Sequence, residues 1–361
     1  MLHLPPPVHG SSLVGEAIKN SKVLGNNFHG SYLNLLLSKT VRETGKAGLL
    51  KVFRFLSIWH KLFFKLVFQK PDLCYYALST TGFAFMKDSM MIVLLHMFRV
   101  RTVFHLHNKG VSVNKDRRLY DSLYRFVFKD ANVILLSEHL YYDIEKYVSP
   151  NRTYYCPNGV DACDFNEAHQ ETRKDGFFKI LFLSNLIHAK GVYDLIDACA
   201  ILQGKGFKFR CEFVGGEGDI SRIQFDEYVE RKGLSENVRY LGKKYGFSKD
   251  VIFMQSDLFV LPTHNDCFPL VVIEAMQHGL PIISTYQGGI PDMIDDGITG
   301  YLIPQGEVSQ MAGRIESLMQ NPALRMEMGE NGRKKYEECY TLEKFEEKMS
   351  SILQEELNKT D

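Results

Sequence analysis

Apolar positions along this chain fall into short runs, each followed by a longer stretch with helical spacing. In the first half such runs occupy residues 72–78, 100–105, 132–136 and 152–156, with a helical pattern at 116–128 among the intervening segments. In the second half they occupy 179–183, 209–214, 238–241, 258–261, 281–284 and 300–303, again with helices predicted between most of them. Strands that read as continuous apolar runs are strands buried on both faces. Alternation of such strands with helices predicts two parallel α/β sheets of the doubly wound type. Pro157-Asn158-Gly159 is a turn signal, and the polar run 166–176 has the character of a linker. The expected organisation is therefore an N-terminal domain over 1–165, a second over 166–338, and a final acidic helix over 339–361 that returns to brace the first domain. Pro5-Pro6-Pro7 cannot belong to a central strand. A first strand before it is either a stub or belongs to chain further upstream.

A chain of 361 residues is too long for one ordinary core and suits two domains. Lysine plus arginine and aspartate plus glutamate are 43 each, so bulk charge gives no reason to expect a nucleic-acid partner. The seven cysteines are scattered, with no Cys-x-x-Cys pair, which predicts reduced thiols in a cytoplasmic protein. No apolar run approaches the ~20 residues of a membrane span, and the N-terminus lacks the character of a signal peptide.

The densest chemistry lies in 257–303. A strand leads into Thr-His-Asn-Asp-Cys-Phe-Pro, and a helix is predicted from about Pro269 to Gly279. The first-turn amides of such a helix have no intrahelical partners and favour an anion. Asp266 stands just before the helix and Glu274 about a turn inside it, both placed to accept from sugar hydroxyls. An ordinary capped, buried helix would give the same pattern. Lys190-Gly191 opens another helix after a strand, where a cation and helix amides converge as a phosphate clamp does; a solvated lysine is the plainer reading. Gly215-Gly216 follows a third strand, either a plain turn or a place where backbone approaches a base or ribose. In the first half, Pro7-Val8-His9-Gly10 precedes a helical pattern and offers an amide at Gly10. His105 and His107 end a strand and are read as pointing to opposite faces, with no third ligand for a metal. There is no Asp-x-Asp pair and no P-loop.

Taken in order, the segments at 5–12, 104–110, 157–161, 179–191, 213–218, 240–242 and 258–303 resemble the family 4 glycosyltransferases (glycosyl transferases group 1) over nearly the whole chain. The resemblance implies an α/β GT-B fold, two Rossmann-like doubly wound domains facing across a cleft. It implies metal-independent transfer, with retention of anomeric configuration, from a nucleoside-diphosphate sugar. No cofactor is implied. A UDP-sugar is the expected donor, with a GDP-sugar as the alternative, and a glycan or lipid-linked acceptor of capsule or lipopolysaccharide synthesis is the expected partner. Carried over residue by residue, it places Lys190 on the donor diphosphate and Glu274 on the ribose. It places Asp266 with the backbone of Cys267, Phe268, Pro269 and Leu270 on sugar and phosphates, Gly216 beside the nucleoside, and Gly10 in an N-terminal phosphate loop. His107, with His105 as the alternate, falls on the acceptor face. His107, Asp266 and Lys190 are the residues expected to carry catalysis. Two departures stand out. Asn185 replaces the arginine usual in the family, removing one diphosphate cation, and Asp266 replaces a glutamate. They motivate a second reading, an inactive sugar-nucleotide-binding subunit. A third, an epimerase of the same fold, lacks a clear acid/base pair.

Residues 44–71 contain no acidic side chain. Lys51, Arg54, Lys61 and Lys65 share one helical stripe, and most of the remaining positions are apolar. A basic amphipathic helix of this kind lies in an anionic bilayer surface. Contact with the inner face of the plasma membrane through residues 46–70 is therefore expected, against the plainer reading of a packed helix with a solvated stripe.

Overall fold

The computed structural model describes residues 1–37, 49–163 and 176–359. These form two compact units, one of Met1–Asn158 with Leu342–Asp361 and one of Gly159–Thr341. The expected boundary at 165/166 and nearly all of the polar run 166–176 lie outside the described residues, as do residues 46–48 of the basic segment.

In the first unit, β1 (Leu73–Leu78), β2 (Arg101–Leu106), β3 (Asn132–Leu135) and β4 (Thr153–Tyr155) form a parallel sheet in sequential order. The segment before the prolines is a stub of extended chain. The Met1 amine donates to the Tyr75 carbonyl at 2.6 Å, Ala77 N–H donates to the Met1 carbonyl, and Leu2 exchanges backbone hydrogen bonds with Leu33 and Leu35.

Three buried carboxylates tie the first unit together. Asp88 accepts from the Tyr76 hydroxyl, the Ser79 amide and the Lys87 ammonium. Asp143 accepts from the amides of Gly110, Val111 and Ser112 and from the Ser112 hydroxyl, which fixes the loop after β2. Glu356, on the last helix (Leu342–Asn358), is fully buried. It accepts from Asn132 Nδ2, the Tyr154 hydroxyl and Lys359 Nζ, each at 2.5 Å, while Arg101 donates to its backbone carbonyl. The same helix reaches the N-terminal segment, where Asn27 donates to Ser350 at 2.9 Å.

The second unit contains β5 (Phe178–Leu183), β6 (Phe209–Val214), β7 (Val238–Gly242), β8 (Leu258–Leu261), β9 (Ile282–Thr285) and β10 (Gly300–Ile303). All pairings are parallel, in the order β10-β9-β8-β5-β6-β7. Every residue of β8, β9 and β10 is buried, as expected of a sheet covered on both faces. Strand order reverses at β5, so a crevice opens beyond the carboxyl ends of β5 and β8, where doubly wound sheets bind ligands.

The turns from helix to strand differ between the units. In the second unit the left-handed residue is glycine at Gly206, Gly233 and Gly279. In the first it is Lys70 (φ 43°), Arg99 (φ 52°) and Asp130 (φ 56°), the three non-glycine residues with positive φ among the described residues. A side chain in that conformation costs about 1–2 kcal/mol.

Loss of the Glu356 carboxylate leaves Asn132 Nδ2 without this acceptor and takes one of two carboxylate partners from Tyr154 and Lys359. Glu356→Ala is expected to lower the urea-unfolding free energy of the first unit by about 3–5 kcal/mol. Removal of the exposed Arg222–Asp226 pair should cost less than about 1 kcal/mol. Equal effects would show that the buried network does not secure the last helix.

Candidate functional site

The loops after β5 and β8 are locked together by main-chain contacts. Gly191 has φ 76°, and a Cβ there would lie 2.1 Å from the Pro262 carbonyl oxygen, so only glycine fits. One residue pair earlier, the Ala189 carbonyl accepts from the His264 amide (2.8 Å), the Asn265 amide (3.3 Å) and the Thr263 hydroxyl (3.1 Å). This clasp sets Lys190 Nζ 2.5 Å from Asp266 Oδ2 and 3.1 Å from the Asn265 carbonyl oxygen. Asp266 Oδ1 accepts from the Cys267 amide at 2.9 Å. Gly289 N–H donates to the Cys267 carbonyl at 2.6 Å and supports the same loop from below.

The helix Leu270–Gln277 starts directly after this loop. Pro269 is its N-cap and supplies no side-chain cap. Phe268 is buried, its ring edge-on to Tyr340 at 5.9 Å, so at that residue the backbone alone is free to meet a ligand. Glu274, one turn in, accepts from Lys249 Nζ at 2.7 Å through Oε1. Its Oε2 is buried and has no hydrogen-bond partner. Burial pushes this carboxyl upward from its ordinary pKa, and Lys249 opposes the shift. A buried carboxylate oxygen without a donor is costly, and a hydroxyl would satisfy it.

Asn185 is used inside the protein. Its Oδ1 accepts from the Gly216 amide at 2.9 Å and ties the loop after β5 to the glycine loop after β6. Lys243, from the loop after β7, lies across Gly216: a Cβ on Gly216 would be 2.4 Å from Lys243 Cε and 3.4 Å from Nζ. The second unit therefore brings Lys190 together with Asp266 and the Cys267–Leu270 segment, Asn185 with Gly216, and Glu274 with Lys249. Lys243 and Lys249 were missed by sequence reasoning. Nothing in their local sequence separates them from surface lysines, and only the sheet order places them here.

In the first unit, the expectation that His105 and His107 point to opposite faces is wrong. Residues two apart on a strand share a face, and the two rings lie 4.1 Å apart between centroids. The His105 ring pairs with the Tyr75 hydroxyl at 2.7 Å, while His105 Nε2 and His107 Nδ1 are buried without partners. His9 is the N-cap of helix Gly10–Asn20, in a reciprocal box with Ser12. Gly10 is exposed, and a Cβ there would meet nothing within 4 Å. Burial, reinforced by the charges of His3 and His9, pushes His107 down to about 3, and burial with Lys87 does the same to His3.

Parallel α/β sheets in both units, with a loop-built site at the switch point of the second, fit a GT-B fold. Solved structures agree on the fold. Anabaena HepE in complex with UDP superposes with a TM-score of 0.70 at 18% identity over 83% of this chain and 82% of that one. Sucrose-phosphate synthase from Thermosynechococcus elongatus gives 0.72 at 18% identity over 90% and 82%. Residues 164–335, just under half of the chain, match the family Glycosyl transferases group 1, which supports a GT-B glycosyltransferase. Among curated relatives, the capsular polysaccharide biosynthesis glycosyltransferase CapM of Staphylococcus aureus is 26% identical over 54% of this chain and 50% of its own length. N-acetyl-alpha-D-glucosaminyl L-malate synthase of Bacillus anthracis is 28% identical over 70% and 68%. The chain thus spans half to two thirds of the length of these relatives.

The depressed histidines carry a pH consequence. Both bind protons more weakly in the fold than their ordinary value of 6.5 allows. The unfolded chain therefore takes up protons first as pH falls from 6.5 toward 3, and stability present above 6.5 is lost across that window. His107→Asn is expected to recover roughly 2–4 kcal/mol of the acid loss. An unchanged stability–pH slope, measured by urea titration at stepped pH, would contradict a neutral buried His107.

Proposed function

We propose that this chain is a retaining, metal-independent glycosyltransferase. It would move a sugar from a nucleoside-diphosphate donor, a UDP-sugar before a GDP-sugar, to a glycan or lipid-linked acceptor in capsule or lipopolysaccharide synthesis. The observation that carries the reading is the buried, unpartnered Glu274 Oε2 at the switch point of the sheet, an acceptor that a ribose hydroxyl would complete. The relatives support the class: CapM is named for capsule synthesis, and HepE was solved with UDP-glucose.

In this reading the acceptor hydroxyl attacks the anomeric carbon on the face from which the diphosphate departs, and a leaving phosphate oxygen takes the proton. The protein contributes positioning and charge stabilisation. Lys190 meets the diphosphate together with the open amides at the start of helix Leu270–Gln277. Without donor its ammonium is held by Asp266. A diphosphate that draws Lys190 away releases the Asp266 carboxylate for a hydroxyl of the transferred sugar. Lys243 supplies the second cation that Asn185 cannot, from the loop above Gly216. His107, neutral and with one ring nitrogen unpartnered, serves the acceptor side, and Gly10 offers an amide there.

The internal use of Asn185 also favours an inactive donor-binding subunit if Lys243 does not compensate. Donor binding is tested by thermal shift against UDP-, GDP- and ADP-sugars with EDTA present. One nucleotide class should raise the unfolding temperature, Lys190→Ala and Glu274→Ala should abolish the shift, and Lys243→Ala should weaken binding about 10-fold, as loss of one charge-assisted contact does. Transfer or hydrolysis of the bound donor separates enzyme from inactive subunit. No shift with any nucleotide sugar would sink both readings.

We also propose peripheral contact with the inner face of the plasma membrane. No helix among the described residues is long and apolar enough to cross a membrane. Helix Leu49–Gln69 buries Leu62 and Leu66 but leaves Phe53, Phe64 and Phe68 more than half exposed beside the basic stripe. A packed helix with a merely solvated stripe would not expose these rings. Lys61→Glu with Lys65→Glu is expected to weaken binding to phosphatidylglycerol vesicles at least about 10-fold. Unchanged vesicle binding would refute the contact.

A further inference from the structure

Beneath the sheet of the first unit, at the amino ends of β1, β2 and β3, lies an open cavity of about 1290 Å³. It is at the opposite end of the sheet from His107 and the loop after β2, so the proposed transfer chemistry does not use it. Lys70, Arg99 and Asp130, the three strained non-glycine turn residues, all line it, with Lys129 beside them. The equivalent turns of the second unit use glycine and avoid that strain. The side chains of Lys70, Arg99 and Lys129 are exposed and make no hydrogen bond or ion pair among the described residues. Arg101 and Lys359 also line the cavity but are engaged with Glu356. Five cations thus face three carboxylates, Asp72, Asp130 and Glu356, and the last of these is already saturated. Val67 and Phe98 line the cavity, and their chain neighbours Phe68, in the last turn of helix Leu49–Gln69, and Met97, at the end of helix Gly82–Met97, are 77% and 70% exposed.

We propose that this cavity seats the phosphate of an anionic phospholipid headgroup, with Phe68 and Met97 entering the acyl boundary beside it. The proposal rests on the membrane contact inferred above and names what the protein recognises there. At Lys70 and Arg99 the rigid turn sets where the side chain leaves the backbone, so both charges stand at the cavity while their long side chains stay free to reach a headgroup. The conformational strain accepted at Lys70 and Arg99 is explained if those two charges must stand at the mouth of a headgroup site.

The test uses the full chain and the double variant Lys70→Gly with Arg99→Gly, which removes the charges and relieves the backbone. Co-sedimentation with phosphatidylglycerol-containing and pure phosphatidylcholine vesicles is measured beside the urea-unfolding midpoint. The expected result is about 10-fold or greater loss of binding to the anionic vesicles, with an unfolding midpoint equal to or above that of the parent. Lys129→Ala, outside the strained turns, should weaken the same binding to a lesser degree. If the double variant binds anionic vesicles as the parent does while Lys61→Glu with Lys65→Glu does not, the cavity assignment is overturned and the membrane contact stands. If the parent binds no anionic vesicle, both fall. If soluble glycerol phosphate binds the parent and not the double variant, yet leaves vesicle binding unaffected, the cavity takes a free phosphate and the lipid assignment is overturned.

Discussion

The Pro262 carbonyl occupies the space that a side chain at residue 191 would need, and the arrangement of the second unit follows from that contact. Because backbone meets backbone there, the loops after β5 and β8 have one separation available to them. The Ala189 carbonyl, accepting from three groups of the β8 loop, removes the remaining freedom. Lys190 and Asp266 are neighbours as a result, though they are 76 residues apart in sequence. A cation and a carboxylate held this way are preorganised, so a ligand that engages either one need not also order the loops.

The first unit uses a different device. Its core is secured by carboxylates buried at defined points: Asp88 under β1, Asp143 at the loop after β2, and Glu356 on the returning last helix. Each is surrounded by donors, which is the condition under which a buried charge is tolerated. Asp143 bears most directly on the proposed acceptor side, because three consecutive amides converge on it and hold the loop that follows His107. Polar chemistry is thereby sorted to the two ends of the sheet. Neutral, desolvated histidines lie at the carboxyl end, and strained, solvated cations lie at the amino end.

Much of this architecture is legible in the sequence, for a physical reason. Strands buried on both faces leave continuous apolar runs, so β6, β8 and β10 fall at the residues expected, and β9 is displaced by one because Pro281 has no amide to give. The Asp266–Glu274 segment is legible because a turn, a proline and an apolar helix follow one another without interruption. What fails is whatever depends on neighbours distant in sequence. Lys249 and Lys243 acquire their meaning only when β7 is placed at the edge of the sheet and the helix Phe247–Met254 is packed beside helix Leu270–Gln277. The internal role of Asn185 likewise depends on a partner amide thirty-one residues away. The histidine pair is misread for a simpler reason: a period of two puts residues 105 and 107 on one face, and the close approach of their rings follows from it.

Asn185, where the family resemblance leads one to expect an arginine, is used differently in this fold. An arginine at that position would project its charge from the loop after β5. Asn185 instead spends its amide on the glycine loop, which draws Gly216 close and leaves a shallow place above it for Lys243. In the proposed reading the charge missing from one loop comes from Lys243 on another, two strands away, and Asp266 keeps direct contact with Lys190. The clasp between the β5 and β8 loops holds Lys190 and Asp266 just ahead of helix Leu270–Gln277, where the proposed reaction calls for a positive charge and an acceptor.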